Sequence, residues 1–136
     1  MNIKLSSELR DELLNMCRRN KSEVGGYILG YIKEGDFYAQ EIEPYRKDII
    51  AHSSKGHLSF NKNYIHDTIF RLRHMKNGGI YVRFHTHPTS KNSAVMSDSD
   101  EVLLSRIQIL ASKICKNGEI SVCEGIVSAN EITFYT

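Results

Sequence analysis

The chain has 136 residues, 40% of them apolar and 25% charged, which excludes a disordered or fibrous polypeptide and fits one domain (1–136) with its own core. Eighteen basic against sixteen acidic side chains leave a net charge of +2, too little for a nucleic-acid clamp. No apolar run approaches the ~20 residues of a membrane helix and no apolar signal core opens the chain, so a cytoplasmic protein without nucleic-acid or membrane partners is expected.

Ser6 or Ser7 caps a first predicted helix, with Leu9, Leu13, Met16 and Cys17 on one face and the charged run 18–21 at its end. Val24 to Ile32 is rich in β-formers and small residues and reads as a buried strand. Lys33-Glu34-Gly35-Asp36 is a hairpin turn, and Phe37 to Glu43 is the returning strand, stopped by Pro44. Gly25, Gly26 and Gly30 are not followed by the Lys-Ser/Thr of a phosphate loop, so their expected use is close strand packing. Residues 45–60 show no period and read as a long loop carrying Tyr45, Arg46, Lys47, His52, Lys55 and His57.

Asn61 or Asn63 caps a second helix to about Lys76, with Tyr64, Ile65, Thr68, Ile69, Leu72 and Met75 inward, and Asn77-Gly78-Gly79 breaks it. Ile80 to His85 is a third strand, followed by a polar loop from Pro88 to Met96. Ser97 or Asp98 starts a third helix to about Asn117, striped by Val102, Leu103, Ile107, Leu110 and Ile114 and stopped by Gly118. Ile120 to Ser128 and Ile132 to Tyr135 close the chain as a hairpin. The order αββαβαββ describes an α/β domain with a central mixed, curved sheet flanked by helices. Cys17, Cys115 and Cys123 lack a CxxC spacing and are expected as reduced, partly buried thiols.

Three residues suit zinc. His85 and His87 sit two apart at a strand end, so both imidazoles leave the same face while Thr86 points the other way. Asp100 lies in the first turn of the next helix, where the helix dipole favours a carboxylate. Two imidazoles and one carboxylate form a catalytic zinc set with the fourth position left to water, and their single negative charge leaves the site net positive. A base is also needed; Glu23, at the mouth of the first buried strand, is the candidate. Ser97, three residues before Asp100, is the candidate oxyanion donor. His52, His57, His66 and His74 have no partner at ligand spacing and are expected at the surface.

Ser22-Glu23-Val24-Gly25-Gly26-Tyr27-Ile28-Leu29-Gly30, then His85-Thr86-His87-Pro88, then Ser97-Asp98-Ser99-Asp100, resemble the signature of the JAMM (Jab/MPN) zinc metallopeptidases. The resemblance runs in element order from about Lys4 to Tyr135 and is sharp at those three segments; Glu124-Gly125-Ile126-Val127 also looks like the family's last core hairpin. It implies a JAB/MPN, cytidine-deaminase-like fold, with Glu23 as general base, His85, His87 and Asp100 as zinc ligands and Ser97 as oxyanion helper. It further implies hydrolysis of the peptide or isopeptide bond after the C-terminal tail of a ubiquitin-like protein. A glycine-ended tail is thin enough to thread a narrow groove and to add as a strand to a sheet edge. The loop around Tyr45, Arg46, Lys47 and Lys55 is a candidate grip for the folded part of that partner.

The chain departs from the family pattern in two places. Nine residues separate His87 from Ser97, a slightly long gap, and Met96 replaces the proline often found before the serine. Asp98 is a competing carboxylate outside the SxxD register. No insertion of the kind that selects one ubiquitin linkage is present. The alternatives are a non-catalytic MPN-type scaffold and a zinc peptidase with an unrelated peptide substrate. A zinc nucleobase deaminase would need H-x-E and P-C-x-x-C, and the chain has neither.

Overall fold

The computed structural model describes residues 1–45, 50–54, 57–60, 65, 67–69, 72, 79–88, 94–115 and 120–136. Ser6 Oγ accepts a hydrogen bond from the Leu9 amide at 3.2 Å and opens helix α1 (Ser7–Arg19). Glu8 in the first turn and Arg18 and Arg19 in the last complement its dipole. Strand β2 (Gly25–Lys33) turns back into β3 (Asp36–Pro44) through Glu34 and Gly35, both at positive φ, as a two-residue hairpin turn of primed type requires. A Cβ at Gly26 would collide with the Glu43 carbonyl and the Phe84 ring, so this glycine does serve close strand packing.

Two features depart from the expectation. A two-residue strand, β1 (Ile3–Lys4), pairs parallel with β3 at Phe37 and Tyr38. The segment expected as a loop between 45 and 60 holds two strands, β4 (Ile50–Ser54) and β5 (His57–Phe60), paired antiparallel as a separate sheet. Arg46, Lys47 and Lys55 lie outside the described residues. Tyr45 is not on a surface loop at all: it is buried in the core.

The second expected helix is described at residues 65, 67–69 and 72, which are helical. Ile65, Thr68, Ile69 and Leu72 are buried there as the inner face required. Its cap, its end, and Tyr64, His66, His74 and Met75 lie outside the described residues. Strand β6 (Ile80–Thr86) follows, then helix α2 (Asp98–Ile114), β7 (Ser121–Val127) and β8 (Ile132–Tyr135). Along α2, Ile107 is buried and Leu103, Leu110 and Ile114 pack partly buried against the same core, as the stripe requires; Leu104 and Ala111 join them, and Val102, 50% exposed, is the stripe residue that does not. Gly118 lies outside the described residues.

The main sheet has six strands in the order β1-β3-β2-β6-β7-β8. It is mixed, because β6 runs antiparallel to β2 and parallel to β7. Alternation along β6 divides the interior in two. Tyr81 joins Tyr27, Tyr45, Ile69, Leu72, Leu104, Ile107 and Val122 on one face. Ile80, Val82 and Phe84 join Leu13, Leu14 and Cys17 of α1 on the other. The outer strands β1 and β8 approach across a cleft of about 330 Å³ lined by Ile3, Lys4, Leu5, Arg10, Ile132 and Phe134, so the sheet is nearly closed. The whole is one small α/β domain. All three cysteines are free and buried. Among the described residues, no helix is long and apolar enough to cross a membrane.

Candidate metal centre

The end of β6 is pinned from both sides. On one side, the Thr86 amide donates to the Val24 carbonyl at 2.8 Å, and the Val24 amide donates to Thr86 Oγ1 at 3.0 Å. On the other, the His87 amide donates to the Val127 carbonyl at 2.8 Å. Thr86 thus faces away from the imidazoles, as the strand period requires, and its hydroxyl fixes the residue next to Glu23. Because Gly25 pairs with His85, this register brings Glu23 to the imidazoles, with Glu23 Oε1 3.9 Å from His85 Nε2.

The third segment arrives as a helix start. Ser97 is the N-cap of α2, accepting from the Asp100 amide at 3.2 Å, while Asp100 Oδ2 accepts from the Ser97 amide at 3.0 Å. This reciprocal capping box fixes the Asp100 carboxylate as well as the helix end. The approach to it is tied to the closing hairpin: the Ala94 amide donates to Glu131 Oε1 at 2.8 Å, and the Tyr135 hydroxyl donates to the Ala94 carbonyl at 3.0 Å. Asp98 is exposed at the helix start, and Asp100 is the carboxylate that meets both imidazoles.

His85 Nε2 lies 2.9 Å from Asp100 Oδ1, His87 Nε2 lies 3.0 Å from Asp100 Oδ2, and the two Nε2 atoms are 3.1 Å apart. Ligand atoms at zinc distances in tetrahedral array stand about 3.3 Å apart, so a small opening of this triangle seats the ion. Glu23, His85 and His87 also each offer a ligand atom within 4.8 Å of one another. Two nitrogens and a carboxylate facing one point can hold a cation there, and a metal ion fits the donor set. The ionisation balance agrees. Burial opposes charge on His85, but Asp100 and Glu124 outweigh it and raise its pKa to about 10. Burial likewise opposes charge on Asp100, yet the hydrogen bonds of both imidazoles hold its carboxyl far below the usual range. Burial pushes the Glu23 carboxyl up, with the imidazoles partly offsetting it.

All five residues expected from the sequence therefore lie together: Glu23, His85, His87 and Asp100 converge, and Ser97 caps the helix that carries Asp100. Sequence reading missed what stands behind them. Glu124 Oε1 is 2.7 Å from His85 Nδ1, and Glu124 Oε2 is 3.4 Å from Arg83 Nη1, with both side chains buried. Arg83 Nε donates to the Tyr45 hydroxyl at 3.3 Å, which lies 2.6 Å from the Tyr81 hydroxyl. A signal for this layer exists in the chain. Arg83 is two before His85 on the same strand face, and Glu124 interrupts the otherwise apolar Val122 to Val127. Compared with protein-family models and with curated proteins, the chain finds no match.

Proposed function

We propose that the chain is a cytoplasmic zinc-dependent peptidase or isopeptidase of the JAMM type, with a JAB/MPN fold. It cleaves after the C-terminal tail of a ubiquitin-like protein, in a conjugate or a precursor. The observation that carries the reading is the convergence of Glu23, His85, His87 and Asp100 from three segments distant in sequence. His85, His87 and Asp100 would hold the metal. Zinc, when held, supplies a Lewis acid that acidifies water and polarises a carbonyl.

The other roles belong to the chain's own groups. Glu23 stands farther from His85 Nε2 than Asp100 does, 3.9 Å against 2.9 Å, which suits a group that reaches the reacting water rather than completing the donor set. Its desolvated carboxylate is a better proton acceptor than a solvated one, and it passes the proton on to the departing amine. Ser97 Oγ accepts from the Asp100 amide and shares a 3.2 Å hydrogen bond with Ser99 Oγ; with Ser99 as the donor of that pair, the Ser97 hydroxyl proton is directed at a developing oxyanion. The substrate class follows from the sequence resemblance. Presence of the whole residue set disfavours a non-catalytic scaffold.

Metal content and hydrolysis of a ubiquitin-like tail carrying a fluorogenic leaving group test the reading together. The expected result is about one zinc per chain, with activity abolished by a chelator. His87→Ala should lose metal and turnover, while Glu23→Gln should keep metal and lose turnover by about 10²–10⁴-fold. Chelator-resistant cleavage, or an active Glu23→Gln variant, would refute it.

A further inference from the structure

We propose that Glu124 and Arg83 are positioning residues for His85: the Glu124 carboxylate accepts from His85 Nδ1–H and keeps the Nε2 lone pair aimed at the metal, while Arg83 holds that carboxylate in place. The inference rests on the metal-centre reading above. A neutral imidazole carries one N–H, and the partner of one nitrogen decides which nitrogen is left to ligate. Glu124 Oε1, 2.7 Å from Nδ1, makes that choice for His85.

The supporting pair is built into the sheet. Arg83 and Glu124 are direct neighbours in the parallel β6–β7 register, and Arg83 shares a strand face with His85. Their side chains are 0% and 2% exposed, and the guanidinium is also engaged by the Tyr45 hydroxyl. Stability does not account for such a pair. Desolvating two charges costs as much as their attraction returns, and apolar residues of similar volume serve a core as well or better. Directly behind a ligand imidazole, the ion pair has a use that an apolar pair lacks.

The test measures affinity for zinc alone, by competition with a chromophoric chelator, and the ring-nitrogen NMR shifts of His85 in the zinc-loaded protein. The Arg83→Met/Glu124→Leu double variant leaves no uncompensated buried charge. It should fold, bind zinc about 10–100-fold more weakly and lose the protonated Nδ1 signature. Glu124→Gln retains an acceptor oxygen; it should keep the Nδ1–H tautomer and lose less affinity, about tenfold. If the double variant fails to fold, Glu124→Gln decides alone, a several-fold loss supporting the inference. Variants that bind zinc within twofold of the wild type, with His85 unchanged, would overturn it and leave the metal centre standing. A wild-type chain that binds no zinc would remove both. A wild type that binds zinc but hydrolyses nothing, with weakened variants, would remove the peptidase reading and keep this one.

Discussion

Thr86 has two tasks that its neighbours cannot share. It separates the imidazoles onto one face, and its hydroxyl accepts from the Val24 amide at 3.0 Å. Thr86→Val preserves the shape and removes the acceptor, so it should destabilise the fold by about 1 kcal/mol, because a part-buried amide loses its partner. It should also lower turnover while sparing metal content, because Glu23 is released and the ligands are not. Chemical denaturation, metal analysis and steady-state rates on one preparation check this; unchanged stability would show that another group satisfies Val24. At this scale the sequence was most informative where a strand or helix period fixes the spacing between chemical groups, as for His85 and His87, or Ser97 and Asp100. It was least informative for Glu124, whose partner His85 is 39 residues away on another strand. No local spacing encodes a contact made by strand pairing.

Ser97 belongs to helix α2 as much as to the candidate site. Its Oγ caps the helix, and an N-cap serine is worth about 1 kcal/mol over alanine. Asparagine caps equally well but has no hydroxyl. Ser97→Asn should therefore hold the melting temperature while turnover falls by about 10²–10³-fold, whereas Ser97→Ala should lose both. If Ser97→Asn turned over like the wild type, the serine would be a cap alone. The misread elements have similar physical causes. Two residues are too few to show a period, so β1 is invisible until β3 stands beside it. Strands β4 and β5, IAHSS and HLSF, have no apolar alternation to report them. Helix α2 was legible in its pattern apart from Val102: Leu103, Ile107, Leu110 and Ile114 meet the core, and apolar residues run so nearly all round the helix that Val102 and Ile109 are left exposed.

For the whole molecule, a metal held at the candidate site would be linked to the fold. A ligand bound only by the native state at a hundred times its dissociation constant adds about 2.7 kcal/mol, which in a domain of this size raises the melting temperature by roughly 8–14 °C. Stripping the metal should lower the transition by that amount and zinc should restore it; calorimetry showing no shift would argue that nothing binds there. The thiols give a second global probe. Burial pushes the Cys17 pKa up, and burial aided by Glu124 pushes Cys123 up to about 12, so thiolate is scarce in the native protein at pH 8. With Cys115 also buried, a thiol-specific reagent should label the folded chain negligibly and all three cysteines once it is denatured. Rapid labelling of any one without denaturant would contradict this packing.

The β7–β8 hairpin supports the site from both ends, Glu124 behind His85 and Glu131 with Tyr135 holding Ala94. A nascent chain leaving the ribosome displays its imidazoles and Asp100 well before that hairpin emerges. Partly made copies therefore lack these contacts to His85 and Ala94, and the geometry of the candidate metal centre is completed only once synthesis has passed the hairpin.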